Sequence, residues 1–309
     1  MRAWAAAAVL SWLVAAGASA APPAPGDSAR RIAWAGEERS YLLHVPPRLA
    51  DPLALVVVLH GGGGNARAVM LQTGFSDAAD LHGFVAVYPN GSQGTFASLF
   101  AVGRPKFLVW NGGSCCGFAS EHRIDDVGFV RAVVADVERE LPIDRRRVYA
   151  TGISNGGMMS YRLACEASDL FAAVGVVSGA LVTPSCAPAE PVSVVHFHGD
   201  ADHYVPLAGG AGRLTPRGYA YPPTESAIAF WRAADGCGAE PSESTPRPGV
   251  HLRSYGDCRS GTEVAFYLID GGAHSWPGGD RVSVILPEVS QAIPATPVIW
   301  DFFASHPKR

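Results

Sequence analysis

Residues 147–165 read Arg-Val-Tyr-Ala-Thr-Gly-Ile-Ser-Asn-Gly-Gly-Met-Met-Ser-Tyr-Arg-Leu-Ala-Cys, and this stretch constrains the chain more than any other. Its first part, 148–153, is short, largely apolar and β-branched at its ends, which predicts a buried strand. From Asn155 onward Met158, Met159, Arg162 and Leu163 suit a helix. Between the two lies Gly152-Ile153-Ser154-Asn155-Gly156, a G-x-S-x-G pattern. A serine at so sharp a strand-to-helix turn has a strained backbone and an exposed hydroxyl. Side chains at Gly152 and Gly156 would collide with the neighbouring strand and helix. The Asn155 N–H, at a helix N-terminus, would face developing negative charge on a reacting oxygen. The bare pattern is weak in a chain with 35 glycines, where a surface turn is the plain alternative, so its weight depends on partners elsewhere.

Strands are expected at 41–45 (an edge strand), 53–59, 84–88, 173–177, 192–197 and 263–269, with helices at 124–141, 224–234 and 298–303. The run 53–59 is continuously apolar and Val-rich, as for a strand covered on both faces. Val127, Val130, Val134, Val137 and Leu141 recur at helical spacing, with Asp125 or Asp126 as the cap. Strands alternating with helices predict an α/β fold with a mostly parallel central sheet and helices on both faces. At 309 residues, 48% hydrophobic and 17% charged, the chain can bury one large core. No internal repeat appears, and a single catalytic domain is expected over 39–309. A formal net charge of −4 without a long basic run argues against nucleic-acid binding.

Residues 1–20 have the form of a signal peptide: Arg2, an apolar run over 3–16, and Ala18-Ser19-Ala20 as the cleavage site. The apolar run is short for a membrane span, so no stable membrane anchor is expected and the chain is expected to be secreted or periplasmic. Residues 21–38 are expected to be a leader, flexible over its Ala/Pro-rich start. Export permits disulfides, and Cys237 and Cys258, which bracket a Pro/Ser-rich stretch, are expected to pair, contributing about 3 kcal/mol in the chain-entropy description. Spacing leaves the connectivity of Cys115, Cys116, Cys165 and Cys186 open.

A serine hydroxyl is a poor nucleophile without a base, and the base needs a carboxylate to orient it. His198-Gly199-Asp200-Ala201-Asp202 follows one strand, and Gly271-Gly272-Ala273-His274 follows a later one. His274 is the expected base and Asp202 the expected acid, with Asp200 a rival that could instead cap a turn. His196, His198 and His203 are expected to be structural. The cluster His196-x-His198-x-Asp200-x-Asp202-His203 resembles an H-x-H-x-D-H metal pattern with its last histidine displaced, but a metal reading leaves the serine turn unexplained. No metal or other cofactor is expected. The oxyanion would be met by the Asn155 N–H and by one from Leu59-His60-Gly61-Gly62-Gly63-Gly64, with Gly62 first and Gly61 as alternate. No Gly-Lys-Ser/Thr follows to make that run a phosphate loop.

With these residues assembled, the chain resembles the secreted polyhydroxybutyrate depolymerase-like and feruloyl esterase-like α/β-hydrolases. The resemblance is carried by Leu59-His60-Gly61-Gly62 with Asn65-Ala66; by Trp110-Asn111-Gly112-Gly113-Ser114-Cys115-Cys116-Gly117; and by Asp125-Asp126-Val127-Gly128-Phe129. It continues through Gly152 to Gly157, His198-Gly199-x-x-Asp202-x-x-Val205-Pro206 and Gly271-Gly272-Ala273-His274-Ser275-Trp276-Pro277-Gly278. It implies a serine esterase with Ser154 as nucleophile, Asp202 as acid and His274 as base. It favours Asp202 over Asp200 and makes Cys237–Cys258 a structural pair. Neither a polymer-binding nor a carbohydrate-binding module is apparent, so small esters and oligomers are expected as readily as polymer. Trp110, Phe118, Tyr204 and Trp276 fall near the expected site loops and could wall an acyl pocket, while loop 207–223 could shape the leaving-group side. The expected partner is an ester substrate, a 3-hydroxybutyrate-type polyester or oligomer first, with a feruloyl or acetylxylan ester as alternative.

Overall fold

The computed structural model describes residues 23–93, 107–215, 218–282 and 287–309. The segment 1–20 expected to be a signal peptide lies outside the described residues.

Ten strands form one sheet: β1 (Gly26–Trp34), β2 (Glu37–Val45), β3 (Leu53–Leu59), β4 (Val85–Pro89), β5 (Ile143–Ile153), β6 (Ala173–Val177), β7 (Ser193–Gly199), β8 (Ser242–Arg247), β9 (Val250–Tyr255) and β10 (Val264–Ile269). Their order is β1-β2-β4-β3-β5-β6-β7-β10-β9-β8. The middle strands, from β4 to β10, pair in parallel, and antiparallel strands extend both margins.

The helices are α1 (Ala66–Thr73), α2 (Phe75–His82), α3 (Gly117–Glu121), α4 (Asp126–Glu138), α5 (Asn155–Glu166), α6 (Thr224–Ala234) and α7 (Ala295–Ser305). The two-residue period of a strand divides the core between the two faces. Leu53, Leu55, Val57 and Leu59 of β3 pack with α4, α5 and α6, whereas Ala54, Val56 and Val58 pack with α1, α2 and α7. Every residue of β3, β4, β6 and β7 is buried, and each fully buried Val, Leu or Phe contributes about 1.5–3 kcal/mol. Since every parallel strand runs the same way, the loops leaving their C-terminal ends gather at one rim.

Two expectations need correction, and two further points are filled in. Residues 26–34 are not leader: β1 pairs with β2 from Gly26↔Val45 to Trp34↔Glu37. Its residues alternate between half-buried and exposed, and Ile32 and Trp34 lie on the core, with Trp34 Nε1 donating to the Asp125 carbonyl at 3.1 Å. The Arg and Asp on its open face disguise the alternation. Consequently 41–45 belongs to an internal strand, not an edge. The Pro/Ser-rich stretch between Cys237 and Cys258 is the β8–β9 hairpin. Backbone pairing holds β8 although every one of its side chains is exposed, so no apolar pattern betrays it. Finally, α4 is capped by Asp125, which accepts the Gly128 N–H at 2.9 Å, while Asp126 is wholly buried and ion-paired with Arg39 at 2.9 Å.

Cys237 and Cys258 are disulfide-bonded, as expected. The remaining four pair as Cys165–Cys186, which ties the end of α5 to the loop after β6, and Cys115–Cys116, between adjacent residues. No helix among the described residues is long and apolar enough to cross a membrane.

Candidate active site

Ser154 stands between β5 and α5 with φ 58° and ψ −122°, a conformation L-residues rarely adopt. Its N–H donates to the Val177 carbonyl on β6 at 2.9 Å, anchoring the turn to the sheet. The flanking glycines are required sterically. A Cβ on Gly152 would lie 2.6 Å from the Gly156 carbonyl oxygen, and one on Gly156 would lie 2.3 Å from the Leu59 carbonyl oxygen. Strand and helix can therefore approach closely enough to lift the hydroxyl onto the rim.

The loop after β3 closes against this turn. A Cβ on Gly61 would be 3.5 Å from Ser154 Cβ, and one on Gly62 3.8 Å from Asn155 Cβ. Gly63 N–H is committed to Leu108 O and Gly64 N–H to Gly61 O, whereas the Gly61 and Gly62 N–H groups have no hydrogen-bond partner among the described residues. The Asn155 N–H belongs to the first turn of α5, whose amides lack helical partners.

Sequence reasoning missed what holds these donors. The Asn155 side chain clamps the Trp110 backbone, Oδ1 accepting the Trp110 N–H at 2.7 Å and Nδ2 donating to its carbonyl at 2.9 Å. Trp110 Nε1 donates to the His60 carbonyl at 2.9 Å. His60 is fixed as one tautomer by two backbone groups: Nδ1–H donates to Gly61 O at 2.8 Å, and Nε2 accepts Gly91 N–H at 3.0 Å. The next backbone N–H, that of Asn111, donates to buried Asp126 at 2.8 Å. The Trp110-Asn111-Gly112 motif was the available signal, but spacing alone does not say that it is a brace.

Asp202 and His274, 72 residues apart in sequence, meet at the rim: Nδ1–H donates to Oδ2 at 2.7 Å. Asp202 Oδ1 accepts the N–H groups of Tyr204 and Val205, each at 2.9 Å. Burial raises the Asp202 pKa, but the His274 hydrogen bond, the neighbouring His274 and His198 imidazoles and the Val205 N–H together leave it below the usual carboxylate value. Asp200 points elsewhere, accepting Gly271 N–H at 2.7 Å. The acid and base loops touch through glycine backbone, since a Cβ on Gly199 would fall 2.0 Å from the Gly272 carbonyl oxygen.

Ser154 Oγ makes no hydrogen bond among the described residues, so the acid–base half of the expected triad is assembled here without a serine–histidine hydrogen bond. Nucleophile–base contacts are often loose without substrate.

Among the aromatics, Trp110 and Trp276 are corrected: both are fully buried, Trp276 Nε1 donating to Thr296 Oγ1 at 2.9 Å, so neither offers surface to a substrate. Their flat apolar rings serve the core beneath the loops. Tyr204, half-buried with its ring centroid 5.0 Å from that of His274, retains a place at the rim. Phe118 stacks on His122. Of loop 207–223, Gly210 bridges Tyr221, and 216–217 lie outside the described residues. The metal pattern does not converge. Both ring nitrogens of His196 and of His198 are engaged in hydrogen bonds, and no metal-holding cluster occurs among the described residues.

Fold and site together define an α/β-hydrolase whose elbow carries a serine. The family described as Esterase PHB depolymerase matches residues 39–212, and the chain belongs to it. It is 35% identical to "Putative esterase NocK" of Nocardia uniformis subsp. tsuyamanensis, over 82% of this chain and 74% of that protein. It is 29% identical to feruloyl esterase B of Piromyces equi, over 64% of this chain but 35% of that longer protein. An acetyl xylan esterase from Aspergillus awamori shares the fold, with a TM-score of 0.61 at 16% identity over 90% of this chain and 99% of that one.

The buried imidazoles are expected to make the protein less stable in acid. Burial, with a smaller contribution from Arg39, pushes the His60 pKa down to about 4, against the pull of its bond to Gly61, and burial also lowers His196 and His198. The unfolded chain takes up these protons near pH 6.5 and the folded chain refuses them, so stability is lost as pH falls from about 6.5 to about 4. His60 alone accounts for about 3 kcal/mol. Asp235, raised to about 6 by burial, acts oppositely, because the fold keeps its proton and gains stability as pH falls toward 4. Asp126, also raised by burial, acts in the same sense, and the two carboxyls offset part of the loss at the three histidines. Thermal denaturation should show a lower Tm at pH 4.5 than at pH 7.5; an equal or higher Tm at pH 4.5 would contradict this.

Proposed function

We propose that this protein is a secreted serine esterase that works through an acyl-enzyme. The observation that carries the reading is the 2.7 Å Asp202–His274 pair at the rim where the strained Ser154 turn emerges. Ser154 Oγ attacks the ester carbonyl carbon while His274 Nε2 takes the hydroxyl proton. Asp202 holds the imidazole and stabilises its charged form. The N–H groups of Asn155 and Gly62 receive the oxyanion, and losing one such donor costs about 3 kcal/mol. The ester C–O bond breaks and the alcohol leaves with the proton from His274. Water then gives His274 a proton, attacks the acyl carbon and releases the acid, and Ser154 recovers its proton. None of these steps calls for a cofactor. Tyr204 borders the entry to His274. The three disulfides fit export to an oxidising compartment.

The family membership favours 3-hydroxybutyrate-type oligomers or polyester as substrate. Relatives named feruloyl esterase favour a second reading, an aromatic ester of the plant cell wall. Comparing kcat/KM on 3-hydroxybutyrate oligomers, methyl ferulate and p-nitrophenyl acetate decides between them. The first reading expects the oligomers to exceed methyl ferulate by at least tenfold, and the reverse order establishes the second. No hydrolysis of any ester would remove the enzymatic reading.

A further inference from the structure

Behind Asp202 lies a line of buried polar groups that the reaction described above does not use. Tyr161 OH is 2.7 Å from His196 Nδ1, His196 Nε2 is 2.9 Å from His198 Nδ1, and His198 Nε2 is 2.8 Å from the Val205 carbonyl oxygen. Thr224 Oγ1 also approaches His198 Nδ1, at 3.3 Å. Tyr161, His196 and His198 are all essentially inaccessible to solvent.

The direction of every bond follows from its last member. A carbonyl oxygen can only accept, so His198 Nε2 bears a hydrogen. Buried imidazoles stay neutral, so His198 Nδ1 is bare and accepts from His196 Nε2–H. His196 Nδ1 is then bare in turn and accepts the Tyr161 O–H. The chain is polarised one way, from Tyr161 on α5 through β7 into the acid loop. The His198 Nε2 nitrogen itself lies 3.5 Å from Asp202 Oδ2, the oxygen that holds His274.

We propose that His198 is a positioning residue for catalysis: its Nε2–H, locked by Tyr161 and His196, holds the Val205 carbonyl, the Val205 N–H holds Asp202 Oδ1, and Oδ2 is thereby kept aimed at His274. The inference rests on the reading of Asp202 and His274 as acid and base. Three neutral polar side chains are costly to bury where aliphatic ones would pack, and this line ends at the Val205 carbonyl, beside the carboxylate of the site. The ionisable groups facing the cluster are Tyr161, His196, Asp202, His274 and Tyr221, with Tyr204 against the His274 ring.

His198→Leu removes the donor, and His198→Gln returns an amide N–H near the Nε2 position. The Leu variant is expected to lose about 10- to 100-fold in kcat per titrated site, with KM changed less than about threefold. With the neighbouring His198 N–H dipole gone, Asp202 directs more of its charge at His274 and favours the imidazolium. The acid limb of its kcat/KM profile should therefore move to higher pH. The Gln variant should recover most of both. Sites are counted with a fluorophosphonate, so partial misfolding does not enter the rate.

An unchanged kcat per site and an unmoved acid limb in His198→Leu would overturn the proposal and leave the histidine a packing residue. Should both variants fail to fold, imidazole ¹⁵N NMR of the unaltered protein decides the matter: Nε2–H with bare Nδ1 at His198 supports the proposal, and the opposite tautomer overturns it. Absence of fluorophosphonate labelling in the unaltered protein would sink the catalytic reading first, and this inference with it.

Discussion

Ser154→Ala is expected to lower kcat/KM for ester hydrolysis by about 10⁴- to 10⁶-fold, about 5–8 kcal/mol of transition-state stabilisation, and to abolish fluorophosphonate labelling. The hydroxyl is the only atom removed, and it has no hydrogen-bond partner to orphan among the described residues, so the fold should be untouched. Residual hydrolysis would come from the Asn155 and Gly62 N–H groups and from binding alone. A second substitution at the same position separates chemistry from strain. At φ 58° and ψ −122° alanine keeps the backbone cost of serine, whereas glycine relieves it. Ser154→Gly should be as inactive as Ser154→Ala yet more stable by about 1 kcal/mol, read as a higher denaturation midpoint. A Ser154→Ala protein that retained more than about one tenth of the activity would show that the rate does not pass through this hydroxyl.

The turn was legible in sequence because its demands are local and severe. Gly152 and Gly156 have no alternative where a Cβ would strike backbone at under 3 Å, so the G-x-S-x-G spacing reports a packing fact directly. The buried strands were legible for a similar reason, a run such as 53–59 being affordable only with both faces covered. What escaped were features fixed by distant partners. β1 is polar on its open face and is ordered by pairing with β2, which composition does not record. β8 has no buried side chain at all. Trp110 and Trp276 stand beside the site loops in sequence, but their rings point into the core, a choice that adjacency in the chain cannot reveal. The same holds for the Asn155–Trp110 clamp and for the Tyr161–His196–His198 line, which joins a helix residue to two residues of β7 far from it in sequence.

The pair Asp200 and Asp202 tests the site where sequence alone was ambiguous, and it carries the second large effect. Asp202→Asn is expected to lower kcat by about 10⁴-fold with little loss of fold, whereas Asp200→Asn should change it by less than about threefold. Asp202 Oδ1 is held by the Tyr204 and Val205 N–H groups, so an asparagine keeps its carbonyl oxygen there and must turn its NH₂ toward His274 and His198. An amide donor then faces the His274 Nδ1–H. The imidazole escapes by moving its proton to Nε2, which leaves no base for Ser154 and no carboxylate to stabilise the imidazolium. Asp200 is exposed and accepts one backbone N–H, from Gly271, which an asparagine oxygen accepts equally well. Steady-state kinetics of the two variants on one soluble ester, with sites counted by fluorophosphonate, give the comparison. A large loss at Asp200 with Asp202→Asn near full activity would mean that the loops rearrange around substrate and that the 2.7 Å contact belongs to a resting arrangement only. The burial of Asp202 against the exposure of Asp200 argues the other way: only a carboxylate shielded from water and fixed by two amides can hold an imidazole in one tautomer throughout a turnover.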